Sequence, residues 1–291
     1  MMKFCLFKRI GIVAKPGEIR IQELLKTLIG YLQRRCLDIA IDGNCALLLN
    51  DTLLQPLKTP LTGQNCDLII SIGGDGTLLH AAHMIADYKV RLLGINVGHL
   101  GFLTDLSPHE FTESLDAILA GHYLEENRMV LTSQVLREGT IIHQNDALND
   151  VVIQKWNIAR LITLDTYING TFVHSQRSDG IIVSTPTGST AYALSGGGPI
   201  LHPSLDAVIL VPICPHTLSN RPLVVAGNSR IEITVGTHEI DHARLTCDGE
   251  VRCELAPRDR VLVEKAKHSV HLIHPAAHDH FATLRAKLQW G

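Results

Sequence analysis

The sequence predicts an α/β N-terminal domain with a mostly parallel sheet, followed by an all-β sandwich-like domain and a short C-terminal helix returning to the first domain. Three observations point there. Up to about residue 125, short apolar runs alternate with segments of helical spacing, the pattern of parallel strands joined by crossover helices. Beyond it the spacing changes to period two with Asn-Gly and Asp-Gly turns, the mark of antiparallel hairpins. Finally, 291 residues with 45% apolar side chains supply two cores at ~100 to 200 residues per domain. The expected boundaries are 1–125 for the α/β domain, 126–273 for the β-rich domain and 274–291 for the helical tail.

In order along the chain, Ile10 to Ala14 reads as a strand closed by Lys15-Pro16-Gly17, and Ile21, Leu24, Leu25, Leu28 and Leu32 follow at helical spacing. Cys66 to Ile72 reads as a buried strand that stops at Gly73-Gly74, Thr77 to Asp87 as a helix, and Val90 to Val97 as the next strand. Ser107 and Pro108 predict an N-cap hydroxyl with proline at the first helical position, and Gly121 the end of that helix. Further on, Arg160 to Ile168 and Thr171 to His174 flank Asn169-Gly170, while Ala243 to Cys247 and Glu250 to Glu254 flank Asp248-Gly249. Both read as hairpins. Ser229 to Val235, Val261 to Val263 and Val270 to Ile273 add strands, and Phe281 to Trp290 a short helix expected to pack on the first domain.

Composition narrows the function classes. The 26 Lys and Arg against 29 Asp and Glu give a net charge of −3, with no run of like charge, so no nucleic-acid partner is expected. Aromatic residues are only 4%, too few for a base-stacking platform. The longest uncharged stretch, Gly180 to Leu205, is broken by Pro186, Pro199, Pro203 and Gly196 to Gly198, so no membrane partner is expected. Lys3, Lys8 and Arg9 interrupt the N-terminal apolar run before an export signal forms, and a cytoplasmic location follows. The seven cysteines are scattered without a CxxC spacing and read as buried, reduced thiols.

The sharpest chemical signal is Ser71-Ile72-Gly73-Gly74-Asp75-Gly76-Thr77, where an apolar strand hands over to a helix. Glycines there let backbone N–H groups approach phosphate oxygens at the positive end of the helix dipole. A carboxylate does not bind phosphate directly, so Asp75 would accept a proton from an attacking hydroxyl or hold the metal on ATP; the plainer alternative is a turn aspartate. No Walker-type phosphate loop occurs, and Gly98-x-x-Gly101 is only part of a dinucleotide fingerprint. A second dense stretch runs from Ser175 through Asp179 and Ser184 to Pro199, rich in hydroxyls and glycines; it could wrap a polar ligand or simply form sandwich turns. Tyr192 could stack on a base, and Arg177 could meet a pyrophosphate or bridge to Asp179. Sixteen histidines raise a metal reading, above all His274, His278 and His280, or His80 and His83. They lack accompanying cysteines and an H-E-x-x-H pattern, so no protein-held metal site is expected. Ser195 lacks the G-x-S-x-G surroundings of a hydrolase nucleophile.

Taken together, GGDGT, Gly98 to Leu103, Asn149-Asp150, Ser175 to Gly180, STPTGSTAYALSGGGP from Ser184 to Pro199, Val211-Pro212 and Pro215-His216-Thr217 resemble the NAD kinase family over most of the chain. GGDG alone also occurs in lipid kinases and phosphofructokinases; the STPTGSTAY run is far more specific. The resemblance implies transfer of the γ-phosphoryl of ATP to the 2′-hydroxyl of the adenosine ribose of NAD, with Asp75 as general base. A divalent metal, Mg²⁺, would accompany ATP, and NADP(H) would be product or inhibitor. It further implies that Gly74, Gly76, His80, Arg160, Arg177, Asp179, Thr190, Ala191, Tyr192 and Ser195 line the nucleotide sites, and that Asn149-Asp150 binds ribose hydroxyls. Asp150 stands where the family has glutamate, and Glu250 where it usually has glutamine. A homodimer or homotetramer is implied as well. The rival readings are a lipid kinase, which would want an apolar substrate entrance, and a non-catalytic NADP(H) sensor, which would not need Asp75.

Overall fold

The computed structural model describes residues 6–43, 65–85, 88–98, 101–108, 110–156, 160–217, 219–237 and 242–290. The chain forms two compact units, Met1–Asn127 with Val270–Gly291, and Arg128–Ser269.

In the first unit, β1 (Arg9–Ala14), β2 (Asp38–Ile41), β3 (Leu68–Gly73) and β4 (Arg91–Asn96) lie in the order β2-β1-β3-β4, every pair parallel. The end of the chain's last strand adds to β4, again parallel, through His271 opposite Arg91. Strands buried on both faces read as continuous apolar runs, and Leu68, Ile69, Ile70 and Ile72 are all fully buried. The helix Ile19–Gln33 turns Ile21, Leu25, Leu28 and Leu32 onto Ile10, Ile12, Leu68 and Ile70, and the helix Phe111–Leu119 adds Phe111, Leu115 and Ile118 to the same core. Gly73 and Asn96 are register partners at the carboxyl ends of β3 and β4, the edge at which open α/β sheets bind ligands.

Local expectations are corrected at three places here. The helix after β3 begins at Asp75, not Thr77, and runs to Met84; Asp87 lies outside the described residues. Ser107 and Pro108 do not open the next helix. Glu110 N–H bonds back to the Ser107 carbonyl in a preliminary turn, and the helix starts at Phe111 with no side-chain cap. The short strand β2 carries too few residues for periodicity to announce it. The C-terminal helix spans His280–Leu288, with Asp279 Oδ1 accepting from Phe281 N–H at 2.8 Å as its N-cap.

The second unit is a two-layer sandwich. Its strands are β5 (Tyr123–Arg137) from Arg128 on, β6 (Thr140–Ala147), β7 (Asp150–Lys155), β8 (Ile162–Ile168), β9 (Thr171–Ser178), β10 (Gly180–Ser184), β11 (Ala207–Ile213), β12 (Leu223–Ala226), β13 (Ile231–Val235), β14 (Ala243–Cys247), β15 (Glu250–Leu255) and β16 (Arg260–Pro275) as far as Ser269. One layer runs β16-β13-β8-β9, with β5 paired to both β16 and β6; the other runs β12-β11-β10-β7-β14-β15. Two segments expected as separate strands, Val261 to Val263 and Val270 to Ile273, are parts of the single strand β16. Its exposed middle, Glu264 to Lys267, imitates a break in the sequence. Alternation puts Ile231, Ile233, Leu164, Ile153, Ile181, Val183 and Leu245 between the layers. The opposite face of β7, β10 and β11, through Val152, Ile182, Ile209 and Val211, is covered by Ala193 and Leu201. No helix among the described residues is long and apolar enough to cross a membrane. Of the cysteines expected to be buried, Cys66 and Cys247 are, Cys253 is half-buried, and Cys36 and Cys214 are exposed; Cys5 and Cys45 lie outside the described residues.

Candidate active site

The Gly-rich turn of the first unit places Asp75 as the first residue of the helix Asp75–Met84, with Gly74 as N-cap. A carboxylate there sits favourably at the positive end of the helix. Its two oxygens are held from a segment far along the chain: Oδ2 accepts from Phe102 N–H at 2.8 Å, and Oδ1 from Leu103 N–H at 3.1 Å and Thr104 Oγ1–H at 3.2 Å. Gly101 makes this approach possible. A Cβ there would lie 2.0 Å from Asp75 Oδ1 and 2.4 Å from Thr104 Oγ1, so the fragment read as a broken dinucleotide fingerprint is part of a clamp on Asp75. Its His99 and Leu100 lie outside the described residues. A carboxylate offers about four acceptor positions; three are used, and Asp75 is only partly buried. Gly76 and His80 follow on the same helix, both exposed.

The second unit builds a different knot. Asp248 and Gly249 turn the β14–β15 hairpin with φ of 50° and 81°, the mirror-image turn their sequence calls for. The Asp248 carboxylate accepts three backbone N–H groups, from Leu148 at 2.8 Å, Asn149 at 2.7 Å and Asp150 at 3.0 Å. Asp150, the first residue of β7, is 4% exposed, and among the described residues no donor reaches its carboxylate. Burial, and then the charge of Asp248, push its pKa up to about 7. Asp248 was legible only as a turn residue; no local pattern announces that its carboxylate organises the strand start at 148–150.

The hydroxyl-rich loop divides in two. Ser184, Thr185, Thr187 and Ser189 are buried and spend their hydroxyls internally. Thr185 Oγ1–H donates to the Leu148 carbonyl at 2.6 Å, Ser184 Oγ–H to that of Asn149 at 3.2 Å, and Ser189 Oγ–H to that of Pro186 at 2.6 Å. Gly188 presses on the same place: a Cβ would stand 2.1 Å from the Asn149 carbonyl oxygen. The 3₁₀ turn Thr187–Thr190 and the short helix Tyr192–Ser195 follow. There Thr190 and Ala191 are partly open, Ser195 is exposed and Tyr192 is 42% exposed. The first half of the motif therefore supports Asn149, and the second half is free to present.

Other candidates are more dispersed. Arg160 and Arg177 are exposed. Asp179 pairs with Lys155 Nζ at 2.6 Å, so the Arg177–Asp179 bridge does not form. Glu250 is exposed and pairs with Arg252 at 2.7 Å. Of the histidines, His274 and His278 gather on Asp105, while His80 and His83 join no group of three potential ligands among the described residues. Burial would raise Asp105, but hydrogen bonds from His274 and His278 outweigh it and hold the carboxyl well below the ordinary range.

A clamped carboxylate at a helix N-terminus on the carboxyl edge of a parallel sheet, together with a sandwich that bares an uncharged, glycine-rich loop, defines a phosphoryl-transfer enzyme of the nucleotide kinase class. Residues 10–123 match the ATP-NAD kinase N-terminal domain, and residues 148–275 match its C-terminal domain. The chain is 46% identical over 285 residues to an NAD kinase of Pseudomonas putida (strain W619), covering 98% of this chain and 96% of that one. It is 46% identical over 284 residues to an NAD kinase of Teredinibacter turnerae, covering 98% and 97%. Yeast NADH kinase, solved in complex with NADH, matches with a TM-score of 0.87 at 25% identity, over 98% of this chain and 88% of that chain. The chain belongs to the NAD kinase family.

Proposed function

We propose that the chain moves the γ-phosphoryl group of ATP to the 2′-hydroxyl of the adenosine ribose of NAD, making NADP and ADP, with Asp75 as the general base. The kinase activity rests on the family; the role of Asp75 rests on one observation, the three-donor clamp. That clamp fixes the carboxylate at the strand–helix turn and leaves an acceptor position open for the proton of the attacking hydroxyl. As the new O–P bond forms, the hydroxyl proton passes to Asp75 and ADP departs with the electrons of the broken bond. Phosphoryl transfer asks a protein mainly for position and charge neutralisation, which the backbone N–H groups at Gly74 to Gly76 and the helix N-terminus are suited to give. Mg²⁺ would arrive on ATP, needs few protein oxygens and would neutralise the β- and γ-phosphate charge, leaving the open acceptor position of Asp75 to the substrate proton.

The second unit supplies the dinucleotide's contacts in this reading. The buried carboxylate of Asp150, which no donor reaches among the described residues, is suited to accept ribose hydroxyls, with Asn149 beside it, and Tyr192 offers an exposed ring to a base. Gly76, His80, Arg160, Arg177, Asp179, Thr190, Ala191, Ser195 and Glu250 complete the proposed contacts. A lipid substrate is disfavoured by the uncharged but polar 184–199 loop. The deciding measurement is ATP-dependent NADP formation by wild type and Asp75→Asn, with NAD binding measured in parallel. A non-catalytic sensor would bind nucleotide and make no NADP. Because NADP keeps every contact proposed for NAD, it should inhibit competitively against NAD.

The reading extends to a cytoplasmic location and to a homodimer or homotetramer. Exposed apolar side chains on strands of the second unit, among them Ile141, Ile142, Phe172, Val173, Leu223 and Val251, support assembly through that unit. Light scattering behind size exclusion tests it, and a monomer at micromolar concentration would refute it.

A further inference from the structure

Asp105 directly follows the segment that clamps Asp75. His274, near the end of β16, and His278, in the turn before the helix His280–Leu288, meet it. His278 Nδ1 stands 3.0 Å from Asp105 Oδ2, and His274 Nδ1 contacts the same oxygen. All three atoms lie within 4.8 Å of one another, and both imidazoles are more than nine-tenths buried. Behind this group, His274 Nε2 faces Glu126 Oε2 at 3.4 Å.

Hydrogen bonding alone leaves part of the cluster unmet. A proton on each nitrogen of His274 would serve Asp105 and Glu126, but the buried Nε2 of His278 has no hydrogen-bond partner among the described residues. Protonating both rings instead stacks two cations with centroids 4.1 Å apart. A divalent ion on the two Nδ1 atoms and Oδ2 gives these three converging ligand atoms one shared partner without placing two cationic rings face to face. The ring protons move to Nε2, and His274 Nε2–H is directed at Glu126, the carboxylate–histidine–metal arrangement that orients ligating imidazoles. Asp105 and Glu126 also balance the ion's charge. Tetrahedral zinc at about 2.0 to 2.1 Å from its ligands spaces them roughly 3.3 Å apart; His278 Nδ1 and Asp105 Oδ2 already stand 3.0 Å apart, and His274 Nδ1 would have to draw back slightly from that oxygen. Two imidazoles and one carboxylate suit zinc-like ions better than Mg²⁺ or Ca²⁺. A cleft of about 450 Å³, lined by Asp105, Ser107, Glu110, His278 and Asp279 among others, admits the ion and leaves room for a water as fourth ligand.

We propose that Asp105, His274 and His278 form a binding site for a divalent first-row transition ion of the zinc class, distinct from the ion that accompanies ATP. Its place in the chain, one residue beyond Thr104, ties it to the segment that holds Asp75.

The test uses the full chain, stripped with chelator and titrated with Zn²⁺ alone, without nucleotide, by calorimetry, and with Co²⁺ by visible absorption. Wild type should take up one tight equivalent and give the intense absorption of tetrahedral Co²⁺. His278→Gln should lose that equivalent, and Glu126→Gln, which removes no ligand, should weaken it about tenfold or more. Circular dichroism verifies that each variant folds, and Glu126→Gln decides the matter if His278→Gln does not. No tight equivalent in wild type, or one that both variants bind unchanged, overturns the proposal.

Discussion

Asp75, just past the end of β3, and Asp150, at the start of β7, both stand where a strand meets a bend in the chain, yet their surroundings are opposite. Asp75 receives three hydrogen bonds and stays partly open; Asp150 is buried and receives none among the described residues. The donors decide the difference. Phe102, Leu103 and Thr104 arrive 27 to 29 residues later and turn toward Asp75. The N–H groups nearest Asp150 are already taken by Asp248, about 100 residues away. A satisfied carboxylate at a helix N-terminus stabilises the fold. An unsatisfied one, pressed by a second acid, is held toward its neutral form, and that is a cost to the ionised protein.

That contrast can be broken most sharply at Asp150. Its folded pKa of about 7 lies above the ordinary 3.8. Stability from the neutral acid is fully present below pH ~4 and is lost as pH rises through ~7, a change of roughly 4 kcal/mol. Asp150→Asn should remove this loss, so denaturant melts at pH 4 and pH 8 should differ less for the variant than for wild type. Parallel pH curves would mean that Asp150 ionises normally. The same variant should raise the KM for NAD more than it lowers kcat, because contacts made equally in ground and transition states are uniform binding.

Next in size is Asp75→Asn, expected to keep the fold and NAD binding while lowering kcat by ~10² or more. It should also bind NADP more tightly by calorimetry, since repulsion between the carboxylate and the new 2′-phosphate is gone. Near-normal turnover would reduce Asp75 to a turn residue. The clamp itself is probed by Gly101→Ala, whose Cβ would meet Asp75 Oδ1 at 2.0 Å. About 1 to 3 kcal/mol of stability should be lost, with kcat falling as the carboxylate moves, whereas Gly76→Ala has open space around its Cβ and should change stability by no more than ~1 kcal/mol. Equal effects of the two would dissolve the clamp. Smallest is Glu250→Gln: its pair with Arg252 is largely solvated, so stability should stay within ~0.5 kcal/mol. A tenfold change in the KM for NAD would put Glu250 on the ligand.

Much of this was legible in one dimension because it is set by near neighbours. The strand–turn–helix at Gly73 to Thr77, the hairpins at Asn169-Gly170 and Asp248-Gly249, and the switch from helical spacing to alternation all follow from residues a few positions apart. Where the reading failed, the deciding contact was remote or was hidden by an equivocal surface. Ser107-Pro108 has the composition of a helix start, but the chain spends that turn before the helix begins. The solvent-facing middle of β16 breaks an apolar pattern without breaking the strand.

The sequence by itself therefore determined the two kinds of layer, the Gly-rich turn with its acid, and the family resemblance, since glycine placement and apolar periodicity act through local backbone sterics and burial. Only the tertiary structure decided which acids are satisfied and which are not. It made Gly101 the floor beneath Asp75, turned Asp248 from a hairpin residue into the acceptor for Leu148, Asn149 and Asp150, and brought His274 and His278 to Asp105 from about 170 residues away. Hydrogen bonds and charge act through distance in space, and distance in space between remote segments is set by how the strands register.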